Sequence, residues 1–168
     1  MTNNGHTIQA VEKADTQDTI TLDKQSWTLQ QFHFHSPSEN TVHGKKYAME
    51  MHLVHKNAEG ELVVVAVMFN KGAANTELNQ LWSIMPGLAE QSATLQAHLD
   101  LNKLLPKNKT YWRFSGSLTT PPCSEGVTWI VMQHPMTLSA EQLEKFKHTM
   151  HHDNNRPIQL LHGRVVVE

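Results

Sequence analysis

Apolar and polar positions alternate with period two along several short runs of this chain, and the phase of the alternation predicts strands. Trp27 to Phe34 is one such run, with Phe32 and Phe34 on one face and Gln31, His33 and the following His35 on the other. Ala48 to His55 repeats the pattern, setting Met49, Met51 and Leu53 opposite Glu50, His52 and Val54. Leu62 to Phe69 holds a continuous apolar stretch from Val63, as expected of a strand covered on both faces. Further strands are predicted over Thr19 to Leu22, Tyr111 to Ser115, Val127 to Met132 and Arg164 to Val167. Gly60 suits a hairpin turn, and Leu118 to Ser124 is a proline-stiffened loop.

Period 3.6 takes over in two places. Asn75 can cap a helix carrying Leu78, Leu81 and Trp82 toward Met85, which Pro86-Gly87 ends. Ser139 with Gln142 forms a capping box for Ala140 to His151, with Leu143, Phe146 and Met150 as its apolar stripe. The composite is a mainly β fold. It is expected to be a single domain over residues 1–168, with a central twisted, mostly antiparallel sheet and a few short peripheral helices.

The polar face of the two alternating strands carries the chemistry. If they pair antiparallel, His33, His35 and His52 converge, and three neutral imidazoles suit zinc while leaving its fourth position open to water, the mark of a catalytic rather than a structural site. A strand histidine is more often a surface or hydrogen-bonded core residue, and 12 histidines bring some close spacings by chance. The neighbours outweigh that reading. Gln31 and Glu50 each lie two positions before a histidine on the same face, where they can fix its tautomer and ring orientation. His148, His151 and His152 lie at a helix end, where a cation complements the helix dipole, and are not counted in the site. His55, opposite in phase to His52, is expected to be a structural hydrogen-bonding residue.

The chain resembles the alpha-class carbonic anhydrases, most closely the bacterial members. The resemblance runs nearly end to end, through Asn3 to His6, Gln31 to His35, Ser38 to Val42, Tyr47 to His55, Ser115 to Cys123, Val127 to Trp129 and Asn154 to Gln159. It implies reversible hydration of carbon dioxide to bicarbonate and a proton by zinc-bound hydroxide, and the family is the type case of water activated by zinc. His33, His35 and His52 are then the zinc ligands, with Gln31 and Glu50 their supports. Glu39 and Thr119 orient the hydroxide: an ionised Glu39 can only accept, so Thr119 donates to it and turns a lone pair to the hydroxide proton. Without the family, Thr119 reads as a turn residue ahead of Pro121-Pro122. Val54, Val65, Leu118, Thr120, Val127 and Trp129 are assigned to the substrate wall, although each apolar member equally suits ordinary core. His6 is the implied proton shuttle, with Asn4 and Gln9 ordering its waters; a histidine near a chain start is otherwise usually just solvated.

Composition and charge agree with a small-molecule enzyme. With 168 residues, 39% hydrophobic and 18% charged, the chain can bury a sizeable core. A net charge of -2 gives no basic footprint for nucleic acid or an anionic membrane. No apolar stretch is long enough to span a bilayer, so no membrane insertion is expected. The implied partners are carbon dioxide, bicarbonate and water, and bacterial relatives suggest a homodimer and a periplasmic or secreted location. The N-terminus departs from the family pattern. The segment that typical members carry before Asn3 is not seen, no secretory signal is apparent, and Cys123 is left without the cysteine that relatives pair with it. The alternative expectation is therefore a truncated, catalytically weak or inactive zinc-binding relative. Two other classes compete: a non-catalytic binding module, which generally lacks one or more of the three histidines, and a metal-buffering protein, which has no need of Glu39 or Thr119.

Overall fold

The computed structural model describes residues 1–13 and 15–168. Its strands are β1 (Thr2–Asn3), β2 (Ile8–Ala10), β3 (Thr19–Leu22), β4 (Gln25–His35), β5 (Met49–Lys56), β6 (Leu62–Lys71), β7 (Tyr111–Ser117), β8 (Glu125–Met132) and β9 (Met136–Leu138). Helix α1 spans Thr76–Ser83 and α2 spans Ala140–Met150, with one 3-10 turn at Leu101–Leu104. The strands form one mixed sheet in the order β1-β2-β4-β5-β6-β8-β7, with β3 also on β4 and β9 also on β6. β6 runs parallel to β8 and β9, and every other pairing is antiparallel. The mainly β, mostly antiparallel architecture expected from the pattern is the one observed.

The pairing of β4 with β5 sets His33 opposite His52 and Phe32 opposite Leu53. One refinement follows from burial. Trp27, Leu29, Phe32 and Phe34 all lie in the same core, although simple alternation would put the first two out of phase with the last two. A bulge between Leu29 and Gln31 restores the phase by leaving Gln30 as an extra, exposed residue.

The sheet is covered on both faces. Phe32, Phe34, Met49, Met51 and Leu53 pack with Leu78, Leu81 and Trp82 of α1 and with Leu143, Phe146 and Met150 of α2. The opposite face buries Val54, Val64, Ala66, Met68, Val127, Trp129 and Val131. Both helices begin as the capping residues predict. The Asn75 side chain accepts from the Glu77 and Leu78 N–H groups, and Ser139 with Gln142 completes the capping box. Gln142 also donates to the Asn75 carbonyl at 2.7 Å and to Asn79 Oδ1 at 2.6 Å, which joins the two helix starts.

The strand expected over Arg164 to Val167 does not form. Val167 makes a single bridge to Arg113 on the outer strand β7, and Val165, Val166 and Val167 remain exposed. The three consecutive valines stay exposed on both sides, and one bridge does not extend the ladder. No described helix is long and apolar enough to cross a membrane.

Candidate metal centre

β4 and β5 bring His33, His35 and His52 together, with one ring nitrogen from each lying within 4.8 Å of the others. The remaining nitrogen of each ring is held by an oxygen. His33 Nδ1 donates to Gln31 Oε1 at 2.7 Å, His35 Nδ1 to the Asn154 carbonyl at 2.9 Å, and His52 Nε2 to Glu50 Oε1 at 2.8 Å. Those partners make the outer nitrogens donors, which leaves lone pairs on Nε2 of His33, Nε2 of His35 and Nδ1 of His52. Three inward lone pairs suit a cation. His35 Nε2 is moreover buried without a hydrogen-bond partner among the described residues, a costly state that a metal ion relieves. Three histidine nitrogens are a donor set that fits zinc.

Glu50 is fully buried and organises the neighbourhood. Its Oε2 accepts from the backbone N–H groups of Glu39 and Asn40 at 2.7 and 2.8 Å, and its Oε1 accepts from Asn40 Nδ2 at 2.6 Å as well as from His52. Burial alone pushes the Glu50 carboxyl up, but His52 and the Asn40 bonds outweigh it and hold the group below the usual carboxylate range. Glu39 stands beside the ligands. Its Oε1 accepts from the Arg156 backbone N–H at 2.8 Å and lies 3.2 Å from His35 Nδ1, while its Oε2 is buried and unpartnered among the described residues.

A cavity of about 460 Å³ opens onto this centre. Asn4, His6, Gln9 and Gln31 line it together with His33, His35, Glu39, Thr119 and Thr120. His6 is exposed at its rim. A second cavity of about 940 Å³ shares Glu39, Thr119, Cys123 and Arg156 with the first and runs on past Trp129. Val54, Val127 and Trp129 are buried on the face that carries His52, with Leu118 packed against them.

Val65 requires a correction. It pairs with Leu53 and lies in the core beneath the helices, on the face away from the histidines. Val64, paired with Val54, and Ala66, paired with His52, occupy the site-facing positions of β6. Three contributors were not singled out from sequence: Asn40, the Asn154 carbonyl and the Arg156 N–H. The last two lie 119 and 117 positions from the groups they hold and act through the backbone, so spacing gives no signal for them. Asn40 had only its place beside Glu39. His55 is buried, with Nδ1 3.0 Å from the Leu53 carbonyl. Cys123 is a half-buried free thiol.

Burial pushes His33 well below its ordinary 6.5, and the charges of His52 and His35 act in the same direction. Burial and the His52 charge lower His35 against the pull of Glu39, and burial lowers His55 against its carbonyl contacts. The unfolded chain therefore takes up protons below about 6.5 that the folded, metal-free chain refuses. Stability should be fully present above that pH and should fall toward pH 5, by up to about 1.4 kcal/mol per pH unit for each depressed group. Urea unfolding of the metal-free protein between pH 5 and 8 measures this, and a flat profile contradicts it.

A mainly β scaffold presenting three sheet-borne imidazoles beside an acidic residue in a cleft defines a metalloenzyme-like centre. Comparison with known proteins specifies it. The family model described as eukaryotic-type carbonic anhydrase matches residues 1–168. A carbonic anhydrase of Klebsiella pneumoniae is 71% identical over 166 residues, covering 99% of this chain and 68% of that protein. One from Pectobacterium carotovorum is 51% identical, covering 98% of this chain and 67% of that protein. Among solved structures, the alpha-carbonic anhydrase of Thermovibrio ammonificans in complex with the inhibitor sulfanilamide superposes with a TM-score of 0.96 at 49% identity, covering 99% of this chain and 73% of that one. The chain belongs to the alpha-carbonic anhydrase family, and it spans about two thirds of the length of these curated relatives.

Proposed function

We propose that this chain catalyses the reversible conversion of carbon dioxide and water to bicarbonate and a proton, with zinc held by His33, His35 and His52. The observation that carries the reading is the set of three inward ring nitrogens whose outer partners are already satisfied. Zinc, when bound there, supplies a Lewis acid that makes water nucleophilic near neutral pH. The side chains of Gln31 and Glu50 and the backbone carbonyl of Asn154 keep the rings in the ligating tautomer. Thr119 lines the same cavity as Glu39, whose Oε2 has no partner among the described residues; a hydrogen bond donated by the Thr119 hydroxyl would satisfy that oxygen and leave a Thr119 lone pair to accept a hydrogen bond from the reacting water, turning the water's own lone pair toward carbon dioxide. Val54, Leu118, Val127 and Trp129 supply the apolar wall, with Val64 in place of Val65 and Thr120 at the rim. His6 takes the released proton to solvent, helped by water ordered at Asn4 and Gln9.

Kinship with the bacterial enzymes supports a periplasmic or secreted setting and a homodimer, to be tested by cell fractionation and by sedimentation. The reaction itself is tested by stopped-flow hydration of carbon dioxide, using the zinc-loaded protein, the same protein stripped by a chelator, and the stripped protein after zinc is restored. Loss and recovery of the rate are expected. Stoichiometric zinc uptake with no zinc-dependent rate overturns the catalytic reading and leaves a zinc-binding relative of the enzymes.

A further inference from the structure

The residues around His6 form a tight turn fastened to the metal-binding strand at a single residue, Phe34. Inside the turn, Asn4 Oδ1 accepts from the His6 and Thr7 N–H groups at 3.0 and 2.8 Å, and Gly5 takes a φ of +79° that an L side chain rarely adopts. The regular pairing of β2 with β4 stops at Gln9 and His33, short of this turn. Thr7 replaces it. Its buried hydroxyl donates to the Phe34 carbonyl at 2.6 Å and accepts from the Phe34 N–H at 3.2 Å.

Asn154 reaches the same carbonyl from the other side. Its Nδ2 donates to Phe34 O at 2.9 Å and to His6 O at 3.0 Å, its Oδ1 accepts from the Ser36 N–H at 2.9 Å, and its own carbonyl holds His35. Phe34 lies between two of the three metal-site histidines, and its ring packs edge-on against Trp82 with centroids 4.9 Å apart. The anchor point is thus set in the core.

We infer that the Thr7 hydroxyl and the Asn154 side-chain amide are positioning residues: together they clamp the His6 turn to the strand bearing His33 and His35, fixing the distance from the proton acceptor to the reaction centre. The inference rests on the hydration reading and on His6 as the group that passes the proton to solvent. Transfer through a few ordered waters depends steeply on geometry, and an exposed imidazole on an unfastened turn would spread over many positions. The carbonyl that holds His35 belongs to the backbone and survives any substitution at Asn154. A side-chain change therefore acts on the turn more than on the ligand.

The test compares wild type with Asn154→Ala, Thr7→Val and His6→Ala in stopped-flow hydration, with kcat and kcat/KM read separately. In dilute buffer free of imidazole, each clamp variant should lose about tenfold in kcat and keep kcat/KM within about twofold, inside the range that misplacement by an ångström can cost. Added imidazole should restore kcat. In a His6→Ala background neither clamp change should lower kcat further. An unchanged kcat, a loss that persists without His6, or a parallel fall in kcat/KM that imidazole does not repair overturns the inference. Amide hydrogen exchange provides a readout independent of turnover: exchange at His6 and Thr7 should speed up in both variants. If wild type shows no zinc-dependent hydration, the functional reading fails, and unchanged exchange then separately rejects the clamp. Should Asn154→Ala not fold, Asn154→Asp keeps the Ser36 contact, removes both donations and takes its place.

Discussion

Replacing His52 with alanine should abolish stoichiometric zinc binding and, with it, zinc-dependent hydration. The substitution removes one of three converging nitrogens; a four-ligand structural zinc site is worth roughly 10 to 16 kcal/mol, so each ligand contributes about 2.5 to 4 kcal/mol, or about 10²- to 10³-fold in affinity. A second cost adds to this. His52 is fully buried and donates to the equally buried Glu50, so alanine leaves a carboxylate oxygen with one donor fewer and a void beside Trp129, whose ring centroid lies 4.8 Å from that of His52. His55→Ala is the matched control, being on the same strand and equally buried but outside the histidine cluster. Its zinc stoichiometry should stay at one. Isothermal titration with metal analysis separates the two variants, and equal zinc binding by His52→Ala and wild type would remove the basis of the assigned site.

The centre was legible in sequence because it is built on regularly alternating stretches of two adjacent strands, Gln31 to His35 and Met49 to His55. Phe32 and Phe34 set the phase of His33 and His35, and Met51 and Leu53 set that of His52; the pairing of His33 with His52 then follows from registering like faces. The sequence does not give the face of Val65, for the complementary reason. The run Val63 to Phe69 is apolar throughout and buried on both sides, so it contains nothing polar to show which valines face which layer. Its phase comes only from the neighbouring strand, through the pairing of His52 with Ala66 and Val54 with Val64. The bulge at Gln30 was hidden in the same way, since Trp27-x-Leu29 and Phe32-x-Phe34 are each regular and only their spacing departs from period two. The contributions of Asn154 and Arg156 are of another kind. A carbonyl and an N–H are supplied by nearly any residue, and what selects these two is a chain path that returns to the end of β4 and the loop after it, at His35 and Glu39, after more than a hundred residues.

The second large effect is expected at Glu50→Gln, a change that keeps shape and removes charge. Glu50 accepts four hydrogen bonds, two at each oxygen, from the Glu39 and Asn40 N–H groups on one side and from Asn40 Nδ2 and His52 Nε2 on the other. Glutamine has one oxygen, so whichever way its amide turns, an NH₂ group meets two donors. If the NH₂ faces the backbone, the segment carrying Glu39 comes loose from β5; if it faces His52, the ring loses the acceptor that fixes its tautomer. At about 1.5 to 3 kcal/mol for each bond to a charged group, losing two predicts roughly 3 to 6 kcal/mol of lost stability, a large share of what a domain of this size has. Zinc affinity should fall by about 10- to 100-fold, the usual cost of removing an outer partner of a metal-bound histidine. The two measurements are linked, because zinc that binds only the folded chain stabilises it by mass action and should recover part of the loss in proportion to its concentration. Urea unfolding with and without zinc reads both. A Glu50→Gln protein with wild-type stability and wild-type zinc affinity would show that the buried carboxylate neither anchors Glu39 nor sets the tautomer of His52.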